Sequence, residues 1–179
     1  MPGDEATGEV LLSWPLADVW VRLDAAGRLA GLRLARAGSG ADSEARSGAG
    51  ESLAGVSSSP LVAVRKALAA FYDSPCDYDA SPWLEEPCVK KADAFSRSVW
   101  REAAKLPCGE AEASEAIAQR LGCPGKGRQV AEAAVACPLP VLIPIHRVGG
   151  AFDGASCEQL ALSRRLLEHE QEKLVRWWF

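Results

Sequence analysis

None of the six cysteines, Cys76, Cys88, Cys108, Cys123, Cys137 and Cys157, stands in a CxxC pair, and there are only two histidines, His146 and His169. That pattern argues against zinc modules, so no metal and no other cofactor is expected. Cysteines this sparse do not make a dense disulfide scaffold either, and they read as free thiols. Long apolar runs are missing: Ala131 to Ile145 is broken by Glu132, Pro138, Pro140 and Pro144, well short of a membrane span. A basic-then-apolar leader is missing as well, because Pro2-Gly3-Asp4-Glu5 is acidic and Trp14 to Trp20 is interrupted. There is no Gly-rich phosphate loop and no internal repeat. The expectation is a soluble cytoplasmic or nuclear protein with no membrane partner.

What is present is a chain of 179 residues, 48% apolar, enough for one sizeable domain or two small ones with a packed core. The net charge of −4 argues at first against a polyanionic partner, but the charge is unevenly spread. Residues 1–88 hold 7 basic and 13 acidic side chains, whereas residues 89–179 hold 13 basic and 11 acidic. A nucleic acid, if there is one, belongs with the C-terminal half; an ordinary mixed-charge surface fits the same count.

Val10 to Leu34 reads as strand, with Val19 to Leu23 and Leu29 to Leu34 joined by a turn at Asp24-Ala25-Ala26-Gly27, and a hairpin is the economical arrangement. From Ala37 to Pro60 the chain is nearly all Ala, Gly, Ser, Asp and Glu, which predicts a mobile surface loop. Leu61 to Tyr72 places Leu61, Val64, Leu68 and Phe71 on one helical face, and Phe95 to Leu106 does the same with Phe95, Val99, Trp100, Ala103 and Leu106. Asp73 to Pro87 between them reads as a link between two lobes, with the boundary near residue 88.

A short helix is expected from Ala113 to Leu121, closed by Gly122 in the left-handed conformation. A second starts after Pro124-Gly125, runs through Arg128, Val130, Ala131, Ala134 and Val135, and stops at Pro138. Two short helices across a Gly/Pro turn form the layout of a helix-turn-helix, a layout also shared by helical pairs that bind nothing. Glu158 to Leu174 is helical by pattern, and the tail Trp177-Trp178-Phe179 reads as packing on its own domain.

The segment Pro138-Leu139-Pro140-Val141-Leu142-Ile143-Pro144-Ile145-His146-Arg147-Val148 is unusual in its prolines and apolar triplet. It resembles the active-site segment of the O6-alkylguanine-DNA alkyltransferases, the methylated-DNA–protein-cysteine methyltransferases, which ends in Ile-Pro-Cys-His-Arg-Val. Arg128 stands 17 residues before Ile145, and the run Leu166-Leu167-Glu168-His169-Glu170 follows. The resemblance covers residues 95–170 well and the first half loosely. It implies an RNase H-like α/β lobe over residues 1–88, and a mainly helical alkyltransferase-like domain over residues 89–179 with a winged helix-turn-helix-like DNA-binding motif. It further implies double-stranded DNA containing O6-alkylguanine as partner, with the damaged base flipped out of the stack.

By this resemblance Arg128 matches the arginine that fills the vacated stack, which suits a permanently charged planar guanidinium. Lys126, Gln129, Ser114 and Arg147 complete the expected DNA contacts, and Ile145, Val148, Ser156 and Cys157 the expected lesion pocket. In the enzymes a cysteine thiolate accepts the alkyl group, aided by a histidine that a glutamate orients. Here His146 and Glu170 are retained and Ile145 replaces the sulfur, so no catalytic constellation is intact. His146 is then expected to bridge buried backbone groups. Cys137 falls where the family carries an asparagine, and Cys157 in the loop over the pocket.

Other departures accumulate. The family's phosphate-side tyrosine is Ser114, its pocket tyrosine is Ser156, its paired glycines are Glu158 and Gln159, and a glycine of the groove-facing helix is Glu132. Cysteine-less members known as alkyltransferase-like proteins bind alkylated guanine and hand it to repair proteins, and this chain is similar to them in lacking the nucleophile. The resulting expectation is a non-catalytic DNA-binding sensor of O6-alkylguanine in DNA repair. Two further readings stand beside it: a degenerate scaffold acting through protein contacts without DNA binding, and an active methyltransferase that uses Cys157 or whose cysteine is replaced at position 145.

Overall fold

The computed structural model describes residues 8–36, 60–151 and 156–176. The expected mobile loop, apart from Pro60, and the aromatic tail lie outside the described residues. In chain order the elements are β1 (Gly8–Ser13), β2 (Asp18–Leu23), β3 (Leu29–Ala35), α1 (Pro60–Asp73), a 3-10 turn Ser81–Glu85, α2 (Pro87–Lys90) and α3 (Ala94–Lys105). Then follow β4 (Glu112–Ala113), α4 (Ser114–Arg120), α5 (Gly127–Val135), a 3-10 turn Ile145–Arg147, β5 (Val148–Gly149) and α6 (Cys157–Arg176). Among these, no helix is long and apolar enough to cross a membrane.

The first half builds a sheet that closes on a helix. Asp24 shapes the β2–β3 turn: its Oδ1 accepts from the backbone N–H of Ala26 and of Arg28, each at 2.9 Å, while Gly27 takes φ +72°. The expected hairpin is therefore present, but β1 joins it to make a three-stranded antiparallel sheet in the order β1-β2-β3. Its alternation is faint because only Leu12 of β1 is buried and Leu11 is 37% exposed. α1 covers this sheet with Val64, Leu68 and Phe71, and Trp14 joins the two by donating Nε1–H to the Leu68 carbonyl at 3.0 Å.

The second half is a set of one-faced helices. Asp93 caps α3 by accepting from Ser96 N, and Val99, Trp100 and Ala103 face inward. Trp100 ties α3 to α5 through Nε1–H to the Ala133 carbonyl at 2.7 Å. Gly122 closes α4 at φ +73° in the left-handed conformation the sequence predicts. α6 turns Leu162, Leu166, His169 and Glu170 inward. One apolar core runs from the sheet and α1 through α3 and α5 to Leu142 and Ile143.

Asp73 to Pro87 is closely engaged with both halves. The Tyr78 hydroxyl donates to the Leu142 carbonyl at 3.2 Å, and Cys76 is disulfide-bonded to Cys108. The free-thiol expectation is thus corrected for this pair, while Cys88, Cys123, Cys137 and Cys157 remain free. Spacing could not show it: the two cysteines are 32 positions apart and meet, at a Cα separation of 5.1 Å, only because the fold brings the segments after α1 and α3 together. Closing a loop of that length restrains the unfolded chain by about 3–4 kcal/mol in chain-entropy terms.

Changing Trp100 to Phe keeps an aromatic ring in the core, with some loss of volume, and removes the bond to Ala133. The denaturant midpoint should fall by an amount equivalent to about 1–3 kcal/mol with an unchanged slope. A loss below about 0.5 kcal/mol would show that α3 and α5 are held by packing alone.

Candidate nucleic-acid interface

The segment from Pro138 to Val148 is buried along nearly its whole length and follows an irregular path. The Leu32 amide donates to the Pro138 carbonyl at 2.7 Å, and a Cβ on Gly31 would stand 3.2 Å from that oxygen, so glycine admits the close approach. Val141 has φ +72°, an uncommon state for a β-branched residue that costs on the order of 1–3 kcal/mol. Pro144, at φ −77° and ψ 58°, centres an inverse γ-turn in which the Ile145 amide donates to the Ile143 carbonyl at 2.8 Å. The following 3-10 turn sets Ile145, His146 and Arg147 inside the protein. β5 then pairs in parallel with β4, directly before α4, so the segment and the helical pair are fixed to each other.

His146, Arg147 and Glu170 form one buried cluster. Glu170 has no exposed surface; its Oε1 lies 2.7 Å from His146 Nε2 and 2.8 Å from Arg147 Nη2, and its Oε2 accepts from the Gly109 amide at 2.7 Å. Arg147 Nε reaches both carboxylate oxygens at 3.1 Å, Nη1 donates to the Leu106 carbonyl at 2.8 Å, and Nη2 also reaches the Pro75 carbonyl at 3.4 Å. Burial alone pushes the Glu170 carboxyl up, but hydrogen bonds and charge from His146 and Arg147 more than offset it and hold the group at about 2. The carboxylate is therefore ionised, and His146 Nε2–H donates to it.

Two expectations change here. Arg147, expected among the DNA contacts, is buried: its guanidinium is turned inward, where the Glu170 charge and two backbone carbonyls would otherwise lack donors. His146 does not bridge backbone groups; its Nε2 serves Glu170, its ring packs edge-on to Phe71 at 5.7 Å, and Nδ1 has no partner among the described residues.

Ile145 and His146 line a cavity of about 150 Å³ whose other walls include Leu32 and Leu34 of β3, Cys137, and Ser163 of α6. The other expected pocket residues stand apart from that lining. Val148 is buried in the core and pairs with Glu112. Ser156 caps α6, with Oγ accepting from the Gln159 amide and Gln159 Oε1 accepting from the Ser156 amide, both at 3.3 Å. This is a capping box written in the sequence as Ser-x-x-Gln. Cys157 is exposed and borders a separate depression with Arg36 and Arg165. Cys137 is the only cysteine among the described lining residues, and burial pushes its thiol up to about 12. Sequence reasoning missed the β3 wall, which lies some hundred positions before the segment it faces.

On the outer face, Lys126, Arg128 and Gln129 are exposed around the start of α5, and Ser114 is half-buried at the start of α4. The Arg128 side chain is 91% exposed and its Nε donates to Glu132 Oε1 at 2.9 Å, one turn along. The turn between the helices is braced by Glu115, which accepts from the Gly125 amide at 2.7 Å and from the Gly127 amide at 3.0 Å. A carboxylate thus already occupies the N-terminal amides of α5, the place where a helix attracts anions.

A buried carboxylate–guanidinium–imidazole cluster thus stands behind a short helical pair. Residues 94–172 match the family model described as the 6-O-methylguanine DNA methyltransferase, DNA binding domain. The chain is 34% identical over 95 residues to the bifunctional transcriptional activator/DNA repair enzyme Ada of Escherichia coli, covering 52% of this chain and 27% of that protein. It is 32% identical over 98 residues to a probable methylated-DNA–protein-cysteine methyltransferase of Acanthamoeba polyphaga mimivirus, covering 53% and 63%. The matched stretches therefore span less than two thirds of these relatives. In fold, the chain is similar to a Mycobacterium tuberculosis OGT in complex with DNA, at TM-score 0.58 and 20% identity over 92% of this chain and 93% of the other. The O6-methylguanine-DNA methyltransferase of Pyrococcus kodakaraensis gives TM-score 0.59 and 19% identity over 90% and 97%.

Glu170 is held at about 2 against an ordinary 4.5, so its contribution to stability is complete above pH 4.5 and is lost as the pH falls toward 2. Urea unfolding between pH 6 and 2 should show a loss on the order of 3 kcal/mol across that window from this group. A Glu170→Gln chain that loses as much stability over the window as the wild type would refute the assignment. Arg147→Ala should cost about 3–5 kcal/mol of stability, the effect of stranding a buried charge, rather than weakening DNA binding in an otherwise stable chain.

Proposed function

We propose that this chain is a non-catalytic DNA-binding protein of the alkyltransferase family that senses O6-alkylguanine in double-stranded DNA and marks it for repair proteins. The observation that carries this reading is Ile145: a hydrocarbon stands beside an intact, buried His146–Glu170 pair on the wall of a cavity. An sp3 hydrocarbon cannot accept an alkyl group. Cys137, the cavity's thiol, is almost wholly protonated at neutral pH with its pKa near 12, and Cys157 opens on another surface. Binding without transfer is what such a site can still do.

In this reading residues 1–88 are the RNase H-like α/β lobe and residues 89–179 the DNA-binding domain. α4 and α5 are its helix-turn-helix, set in the groove with Ser114, Lys126, Arg128 and Gln129 outward. Arg128 fills the gap left by a flipped guanine, which enters beside Ile145. Val148 supports that wall from behind, and Ser156 and Cys157 begin the helix that flanks it. A cysteine-dependent activity would need a nucleophile at position 145 and is disfavoured by the chemistry above.

A second reading, a scaffold that has given up DNA and acts through protein contacts, is favoured by one specific contact. Glu132 pairs with Arg128 and sets a carboxylate on the helix that would face phosphates.

The test is a titration of fluorescent duplexes, with and without one O6-methylguanine, at low and physiological salt, followed by intact mass. Lesion-preferring binding with no methyl adduct is expected; no binding at either salt would sink the proposal, and an adduct would refute the absence of chemistry. Within that assay Arg128→Ala should cost roughly 1–3 kcal/mol of lesion binding, whereas Lys126→Ala should weaken all duplexes alike and reduce the salt slope by about 1. Glu132→Gln should strengthen binding to both duplexes at low salt, and an unchanged affinity would mean that the Arg128–Glu132 pair does not compete with DNA.

A further inference from the structure

We propose that the Cys76–Cys108 disulfide is a redox-operated clamp on the buried His146–Arg147–Glu170 cluster. The neighbours of the two cysteines are the groups that satisfy the cluster. Pro75, adjacent to Cys76, supplies a carbonyl to Arg147 Nη2; Leu106, two positions before Cys108, supplies a carbonyl to Nη1; Gly109, adjacent to Cys108, donates its amide to Glu170 Oε2. The loop after α3 is also pressed onto α6. Gln171 Nε2 donates to the Gly109 carbonyl at 2.9 Å, and a Cβ on Gly109, at φ +74°, would stand 2.5 Å from Leu174 Cδ1. The disulfide thus joins the two loops that solvate one buried ion pair, and that pair holds the turn bearing Ile145.

The bond is reachable. Cys76 is exposed and Cys108 half-buried, so a small thiol meets the Cys76 sulfur first. Its thiolate attacks Cys76 Sγ, the S–S bond breaks, and Cys108 leaves as a thiolate that takes up a proton. A second thiol attacks the mixed disulfide, freeing Cys76 and leaving with the first as a low-molecular-weight disulfide. Two electrons and two protons pass to the protein, and oxidation by such a disulfide reverses both steps. In a reducing compartment a bond of this kind is switched rather than permanent. Reduction unties the loops while the core packing of the sheet is untouched.

The test uses the full chain equilibrated in glutathione buffers from oxidised to reduced, with alkylation of the unfolded protein to count thiols and amide hydrogen exchange to locate the change. In the oxidised buffer four cysteines, Cys88, Cys123, Cys137 and Cys157, should be alkylated. In the reduced buffer all six should react. On reduction the amides of Gly109, Ile145 and Arg147 should exchange at least about tenfold faster while those of Val19 and Val21 keep their rates, a sub-global opening. Cys108→Ser in oxidising buffer should reproduce the reduced pattern; because the wild type is itself read in both states, a variant that fails to fold does not stall the test. Six reactive cysteines after oxidation would overturn the proposal, as would unchanged exchange at Gly109 and Arg147 on reduction. A uniform rise that includes β2 would also overturn it, since the bond would then be a general staple and not a clamp on the cluster.

Discussion

A carboxylate with no exposed surface, Glu170, ties together three separate stretches of chain. His146 and Arg147 come from the segment after Pro144, Gly109 from the loop after α3, and Glu170 itself from the fourth turn of α6. Taking such a charge out of water is expensive, and the cost is met only while every donor stays in place. The irregular backbone from Val141 to Arg147 is held in its path by that requirement as much as by the apolar packing of Leu139, Leu142 and Ile143. The path in turn sets β5 against β4 and so fixes where α4 and α5 sit.

This dependence explains how His146 and Glu170 can persist beside an isoleucine. In an alkyl-transferring site the pair would serve a thiol. Here it stabilises a buried arginine and, through it, the loops ending at Pro75 and Leu106. Retention of the two residues is therefore no argument for residual acid–base chemistry. The cavity they border keeps an apolar wall from β3 and α6, and the single thiol on it is protonated. Recognition by shape and burial is compatible with such a wall; nucleophilic attack is not.

Much of the helical framework was legible in sequence because each helix buries one face, as the spacing of Val64, Leu68 and Phe71 shows. The left-handed Gly122 was legible because few residues other than glycine occupy that state cheaply. The direction of Arg147 was not, since a residue's neighbours in sequence do not say which way its side chain turns; only the distant Glu170 decides it. The same holds for the β3 wall and the Cys76–Cys108 bond, both made by elements far apart in the chain. Ser156 is a different case. Its Ser-x-x-Gln pattern states a helix cap openly, at a position where the resembled family carries a pocket tyrosine.

The outer surface carries the remaining tension. The amides that open α5 already hold the Glu115 carboxylate, and Arg128 already holds Glu132. The Arg128–Glu132 contact is local and solvent-exposed, where ion pairs contribute little and yield to salt or to a stronger anion. A DNA backbone presents many such anions at fixed spacing, so several weak internal pairs can be exchanged together for phosphate contacts. The buried cluster and the exposed pairs thus differ in kind: the first cannot be exchanged without opening the fold, while the second, in the proposed DNA-binding reading, would set how strongly and at what ionic strength the helical face meets the duplex.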